Sequence, residues 1–205
     1  MIEALSNIIT GFGLSASAGL NAYIPLLIVA LLGRFTTLIH LNPPFDALSS
    51  GWAIAVLAVL VLVEALVDKI PAVDTVYNVA QTLVRPAAGA ILFAASSKVI
   101  TDIHPVLALI CGLLVAGTVH AAKTTARPVI TATTAGVGNP VVSAAEDVVS
   151  GTVSVLSIVM PLLAAMLILI GAWLIARMFW GRQESRRTDG ETGTSPRRPS
   201  GETDT

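Results

Sequence analysis

The sequence predicts an all-α membrane protein, a polytopic bundle of about six transmembrane segments in which the first and fifth are broken or re-entrant. Three observations predict it. Of the 205 residues, 54% are hydrophobic and only 12% charged, whereas an average soluble domain is about 25% charged. Several stretches exceed the roughly 18 apolar residues that mark a membrane span. The first and fifth of these stretches are interrupted by Gly, Ser, Asn and Pro, residues that weaken a helix.

The first segment covers about residues 5–33. Gly11, Ser15 and Gly19 recur at helical spacing, with Gly13 and Ser17 beside them. Small residues so spaced let helices approach closely in lipid. The same stretch, Ser15-Ala-Ser-Ala-Gly-Leu-Asn21 with Pro25 beyond it, also reads as a helix break that opens backbone groups to a cavity. A Pro-Pro loop at 34–50 leads to the second segment, about 51–69. Glu64 and Asp68 are four apart and share a helix face. Asp68, Lys69 and Asp74 read as a solvated helix end, but Glu64 follows a long run of Ala, Val and Leu and lies too deep for easy solvation.

The third segment, about 86–101, is entered through Arg85-Pro86, with proline in the first helical position. The fourth, about 104–122, opens at His104-Pro105. His104 and His120 fall near its two ends and read as interfacial. Lys123 and Arg127 occupy the turn that follows, either as a positive-inside signal or as partners for an anion or for the acids. The fifth segment, about 128–149, is the least hydrophobic. The sixth, about 152–179, is long enough at roughly 42 Å to require tilt or a kink at Pro161.

The tail, 181–205, contains five Arg and five acids, leaving seven basic and eight acidic residues in the first 180. Residues 1–180 therefore read as one polytopic membrane domain with nearly balanced charge, and 181–205 as a disordered hydrophilic tail. The basic residues of the tail and of the loops around Lys69/Arg85 and Lys123/Arg127 favour the cytoplasm for both termini, in the cell membrane. A re-entrant fifth segment would reverse the side on which the tail emerges. Cys111, the one cysteine, excludes an intrachain disulfide and reads as a small buried hydrophobe. No basic surface suggests nucleic acid.

Function is sought in the fifth segment, where Gly136, Gly138, Asn139, Ser143, Glu146 and Asp147 interrupt a greasy chain. Asn139-Pro140 resembles a helix start, and Ser143-Ala-Ala-Glu146 matches a capping box; these are alternative starts. Either start places a helix N-terminus near the middle of the membrane, facing an anion or a carboxylate. Glu146 is then a cap or a functional acid, and Asp147 a functional or ion-paired one. No HExxH, CxxC, GxSxG or P-loop is present, so no catalytic residue, metal or cofactor is called for and nothing signals an enzyme.

Ile70-Pro-Ala-Val-Asp74, Arg85-Pro86-Ala-Ala-Gly89 and above all Thr131-Ala-Thr-Thr-Ala-Gly-Val-Gly-Asn-Pro-Val-Val-Ser-Ala-Ala-Glu-Asp147 resemble an uncharacterised integral-membrane family, domain of unknown function 4126. The resemblance covers roughly residues 1–180. Members often read Thr-Thr-Gly-Gly-Leu-Gly-Asn-Pro, where this chain has Ala135 and Val137. The resemblance implies a multi-helix membrane fold and brings no activity.

The residues favour a small transporter or channel-like protein for a small solute or ion, with a proton-coupled cycle as one form. Asn21, Asn139 and Ser143 would be polar ligands, Glu64, Glu146 and Asp147 protonatable groups, and Lys123 and Arg127 the balancing charges. Asp68, Asp74, Gly136 and Gly138 complete the candidate binding set. The expected partners are the lipid bilayer and the small solute, with a homo-oligomer left open. The alternatives are a lipid-headgroup-binding membrane enzyme and a membrane scaffold or assembly factor.

Overall fold

The computed structural model describes residues 2–67, 71–96, 104–135, 137–173 and 177. Among the described residues the chain forms helices and no strand. Asp68, Gly136 and the tail at 181–205 lie outside them, as does the side chain of Asp74, whose backbone is helical. The chain divides into two units, Met1–Ala165 and Met166–Thr205, and the candidate site belongs wholly to the first.

The elements are α1 (Ile2–Leu20), α2 (Tyr23–Phe35), a 3-10 turn (Phe45–Ser49), α3 (Gly51–Val67), α4 (Pro71–Ala95), α5 (Pro105–Thr134), α6 (Asn139–Val159) and α7 (Pro161–Trp173). The long first segment is broken, as the Ser15–Asn21 stretch predicts. Pro25 has no amide to give to the Asn21 carbonyl, and the Asn21 side chain accepts from the amides of Tyr23 and Ile24, each at 3.0 Å. Leu14 and Val29 wall one cavity together with Thr10 and Ile39. α2 and the chain after it therefore return along α1, and Asn21 stands at the tip of a helical hairpin.

The third to sixth expected segments are divided differently. Arg85-Pro86 is no helix entry, because α4 starts at Pro71 and carries Pro86 inside it. The turn expected at 123–127 is absent, because α5 runs unbroken through Pro128 to Thr134. Threonine hydroxyls bond the carbonyls around that proline, Thr124 to His120 at 3.1 Å, Thr125 to Ala121 at 2.7 Å and Thr131 to Arg127 at 3.0 Å. The bond that Pro128 cannot give is the one to the Thr124 carbonyl, and these hydroxyls add local bonds on either side of it. The fifth segment is thus the end of one helix and the start of the next. The sixth breaks at Met160, where Pro161 begins α7.

The turn falls instead between α5 and α6, at Ala135, Val137 and Gly138. Ala135 closes α5 in the left-handed conformation, φ 51°, a region that favours glycine. Ala135→Gly is therefore expected to raise stability by about 1 kcal/mol, read as a rise in the thermal midpoint. No rise would show that the turn takes another backbone path.

α1 is the central element and packs on α4, α5 and α6, while the most extensive pairing is α4 with α5. The small-residue face of α1 makes these contacts. A Cβ added at Gly19 would stand 2.6 Å from the Ala116 carbonyl, and one at Gly11 would stand 3.1 Å from the Phe93 ring. Ser15 donates to the Gly89 carbonyl at 2.9 Å. Against α6, Ser17 donates to the Ser150 carbonyl and lies 2.7 Å from the Ser154 hydroxyl, while Ser150 donates to the Ser17 carbonyl at 3.0 Å. Thr10 donates to the Ser157 carbonyl at 2.8 Å. Cys111 is half-buried against the Phe93, Ala94 and Ala108 cluster.

Candidate functional site

Two groups of polar side chains meet inside the first unit. The first joins α3, α4 and α5. Glu64 is 1% exposed, and its carboxylate receives Arg85 Nη2 at 3.0 Å. Arg85 also donates through Nε to Gln81 Oε1 at 3.3 Å, and its Nη1 faces His120 Nδ1 at 3.5 Å. His120 Nε2 lies 3.4 Å from the Thr82 hydroxyl. His120 is buried and not interfacial, because it shares one face of α5 with Ala108, Gly112, Ala116 and Lys123. His104, by contrast, is exposed and caps α5 by accepting from the Val106 amide.

The second group gathers at the hairpin tip. Lys123 Nζ lies 2.6 Å from Glu146 Oε2 and donates to the Leu20 carbonyl, the last of α1, at 3.0 Å. Arg127 Nη2 lies 3.7 Å from the same Glu146 oxygen and donates to the Ser143 hydroxyl at 3.3 Å. Asn21 Nδ2 donates to Asp147 Oδ1 at 2.8 Å. Asn21 therefore holds the start of α2 with its oxygen and α6 with its nitrogen. His120 and Lys123 lie on the same buried face of α5, so the two groups adjoin along that helix. Arg85, Lys123 and Arg127 balance Glu64, Glu146 and Asp147 in charge.

Several expectations about the fifth segment change. Lys123 and Arg127 are mid-helix residues engaged in the interior, not loop residues. Gly138 precedes α6 without a side-chain cap, and Asn139 is the first residue of that helix and caps nothing. Its side chain instead meets the Thr131 hydroxyl across the turn at 3.1–3.2 Å. Ser143 and Glu146 form no capping box, since both lie inside α6 and turn toward α5. The N-terminus of α6 is no buried anion site, because Val137, Pro140 and Val141 around it are exposed. Among the candidates, Asn21, Lys123, Arg127, Ser143, Glu146 and Asp147 come together. Glu64 belongs to the other group, with Arg85, whereas Gly138 and Asn139 stand apart.

Arg85, Gln81, His120 and the serines at 150, 154 and 157 are absent from the sequence-based set. Signals for them exist. Tyr77, Gln81 and Arg85 recur every fourth residue, and Ser143, Ser150 and Ser157 every seventh, each marking one helix face.

Among the described residues, fold and site together define an all-helical protein with paired charges in its interior and large apolar side chains on its exterior. The chain belongs to the family described as domain of unknown function (DUF4126), whose model matches residues 8–181. That span contains every residue of the network. No curated protein and no solved structure matches the chain.

Proposed function

We propose that this is an integral protein of the cell membrane, a small transporter or channel-like protein for a small solute or ion. Its membrane character is supported by an inverted distribution of polarity. Trp52, Val56, Val59, Leu62, Val63 and Leu66 of α3 are exposed while Glu64 on the same helix is buried. Water would reverse that arrangement, whereas lipid requires it. α5 and α6 are long and apolar enough to cross a membrane, and shorter apolar helices cover 23–35, 51–67, 79–95 and 161–173. A bundle of about six segments with a re-entrant first one fits these lengths. Lys123 and Arg127, paired with Glu146, drop out as topology signals, so the tail arginines carry the proposed cytoplasmic placement of the termini.

One observation carries the transport reading. The break between α1 and α2 presents a helix end and Asn21 to Lys123, Glu146 and Asp147 within the bundle, the arrangement by which broken helices form ion and substrate sites in transporters. The far end of α1 borders a cavity of about 80 Å³ lined by Ser6, Asn7, Thr10 and Ser96 among apolar residues. That volume admits a few waters or an ion, against the roughly 300–1,000 Å³ of a metabolite pocket. The charged and amide side chains gathered at the break suit a small ion or a proton as the cargo.

The test is flux through the purified protein in liposomes, followed with reporters for protons, sodium, potassium and chloride. One of these should move, and Asp147→Asn should slow it at least about tenfold, the effect of roughly 1.4 kcal/mol at the site, without loss of the folded protein. No movement of any of them would sink the reading. The balance of three cations with three acids favours a scaffold as the second reading. In that case Arg127→Glu combined with Glu146→Arg restores a cellular function that either change alone removes.

A further inference from the structure

α1 ends inside the protein at Leu20, and the last carbonyls of a helix carry partial negative charge with no partner in their own helix. The Leu20 carbonyl is met by Lys123 Nζ at 3.0 Å, and the same nitrogen lies 2.6 Å from a Glu146 carboxylate oxygen. The Lys123 side chain is 3% exposed. A carbonyl from an interrupted helix and a carboxylate, both turned inward, form an oxygen-lined pair of the kind that holds sodium where membrane helices break. Here the cation is part of the chain.

The neighbours define what the site would take without it. Arg127 lies farther from the Glu146 oxygen, at 3.7 Å, and is also engaged by Ser143. Asp147 stands beside Glu146 on α6 and is held by Asn21. Removal of the lysine charge takes one positive charge from between the Leu20 carbonyl and the Glu146 carboxylate. A single small monovalent cation restores that charge.

We propose that the Lys123 ammonium occupies a monovalent-cation site built by the Leu20 carbonyl and the Glu146 carboxylate, and that sodium takes this place when the ammonium is removed. Only the part that this cation plays in a transport cycle rests on the reading given above; the site itself does not. Wild-type protein holds its own cation there and needs none from solution.

The experiment compares purified full-length protein and Lys123→Ala in detergent by thermal unfolding, replacing choline chloride with sodium chloride at constant ionic strength. Ethylammonium chloride is tested as a substitute for the missing side chain. The wild-type midpoint should not respond to the exchange. Lys123→Ala should unfold several degrees lower in choline and recover with a saturable rise in sodium or ethylammonium. Adding Glu146→Gln should abolish that rise. Equal midpoints for Lys123→Ala in all three salts, or a wild-type response as large as the variant's, would overturn the proposal. If Lys123→Ala cannot be purified, Lys123→Ser, which also clears the ammonium from the Leu20 carbonyl, is judged by the same readings. Flux plays no part in this measurement, so the site and the transport reading can fail separately.

Discussion

Replacing Glu64 by alanine is expected to lower the unfolding free energy by about 3–5 kcal/mol, the usual consequence of leaving one half of a buried ion pair behind. The side chains of Glu64 and Arg85 are each 2% exposed and meet at 3.0 Å. Without the carboxylate, Arg85 retains Gln81 and faces His120, neither of which neutralises a guanidinium. The remaining charge is stranded among α3, α4 and α5. The pair itself need not stabilise the fold relative to an apolar one. Glu64→Leu combined with Arg85→Met should therefore recover most of the loss, since two apolar side chains require no solvation. Chemical unfolding of the three variants in one detergent checks both statements. A Glu64→Ala protein within about 1 kcal/mol of wild type, the worth of an exposed pair, would show that the carboxylate reaches solvent.

The second large effect is expected at Gly112, in the α4–α5 contact. A Cβ there would stand 2.3 Å from the Gly89 carbonyl oxygen and 2.8 Å from Ala90 Cα. These are backbone atoms, which no change of rotamer can move aside. The contact is reciprocal, because a Cβ at Gly89 would stand 2.8 Å from the Gly112 carbonyl oxygen. Intrinsic helix preference favours alanine over glycine by about 1 kcal/mol, so a net loss measures the close approach directly. Gly112→Ala should cost about 1–3 kcal/mol, and Gly112→Leu should separate the two helices. Gly117→Ala on the same helix is the control. Its nearest neighbour is Pro86 at 3.8 Å, an ordinary contact, so the change should be neutral or stabilise by up to about 1 kcal/mol. Equal effects at the two positions would mean that α4 and α5 are not in backbone contact.

Parts of this arrangement are visible in the sequence because they depend on local chemistry. The Asn21 break follows from an asparagine that caps and a proline that withholds an amide, both within a few residues of each other. The packing face of α1 follows from Gly11, Ser15 and Gly19 at helical spacing. The burial of Glu64 follows from the apolar run before it. The turn was harder to place. Charged and proline residues at 123–128 resemble a loop in composition, yet Lys123 and Arg127 find partners on α6, which hold the helix through Pro128. Local signals at 135–138 compete with that resemblance, and only contact across the hairpin decides between them.

The sequence by itself determined that the chain is helical, apolar outside its tail, nearly neutral in its body and broken near Asn21, because composition, spacing and proline act over short distances. Which acid meets which base was decided by tertiary structure alone. Glu64 reaches Arg85, Lys123 reaches Glu146 and the end of α1, and Asn21 reaches Asp147. Glu64–Arg85 and Lys123–Glu146 join consecutive helices, whereas Lys123–Leu20 and Asn21–Asp147 join elements far apart in the chain, and a charge in an apolar interior takes whichever opposite group the packed backbones bring within reach.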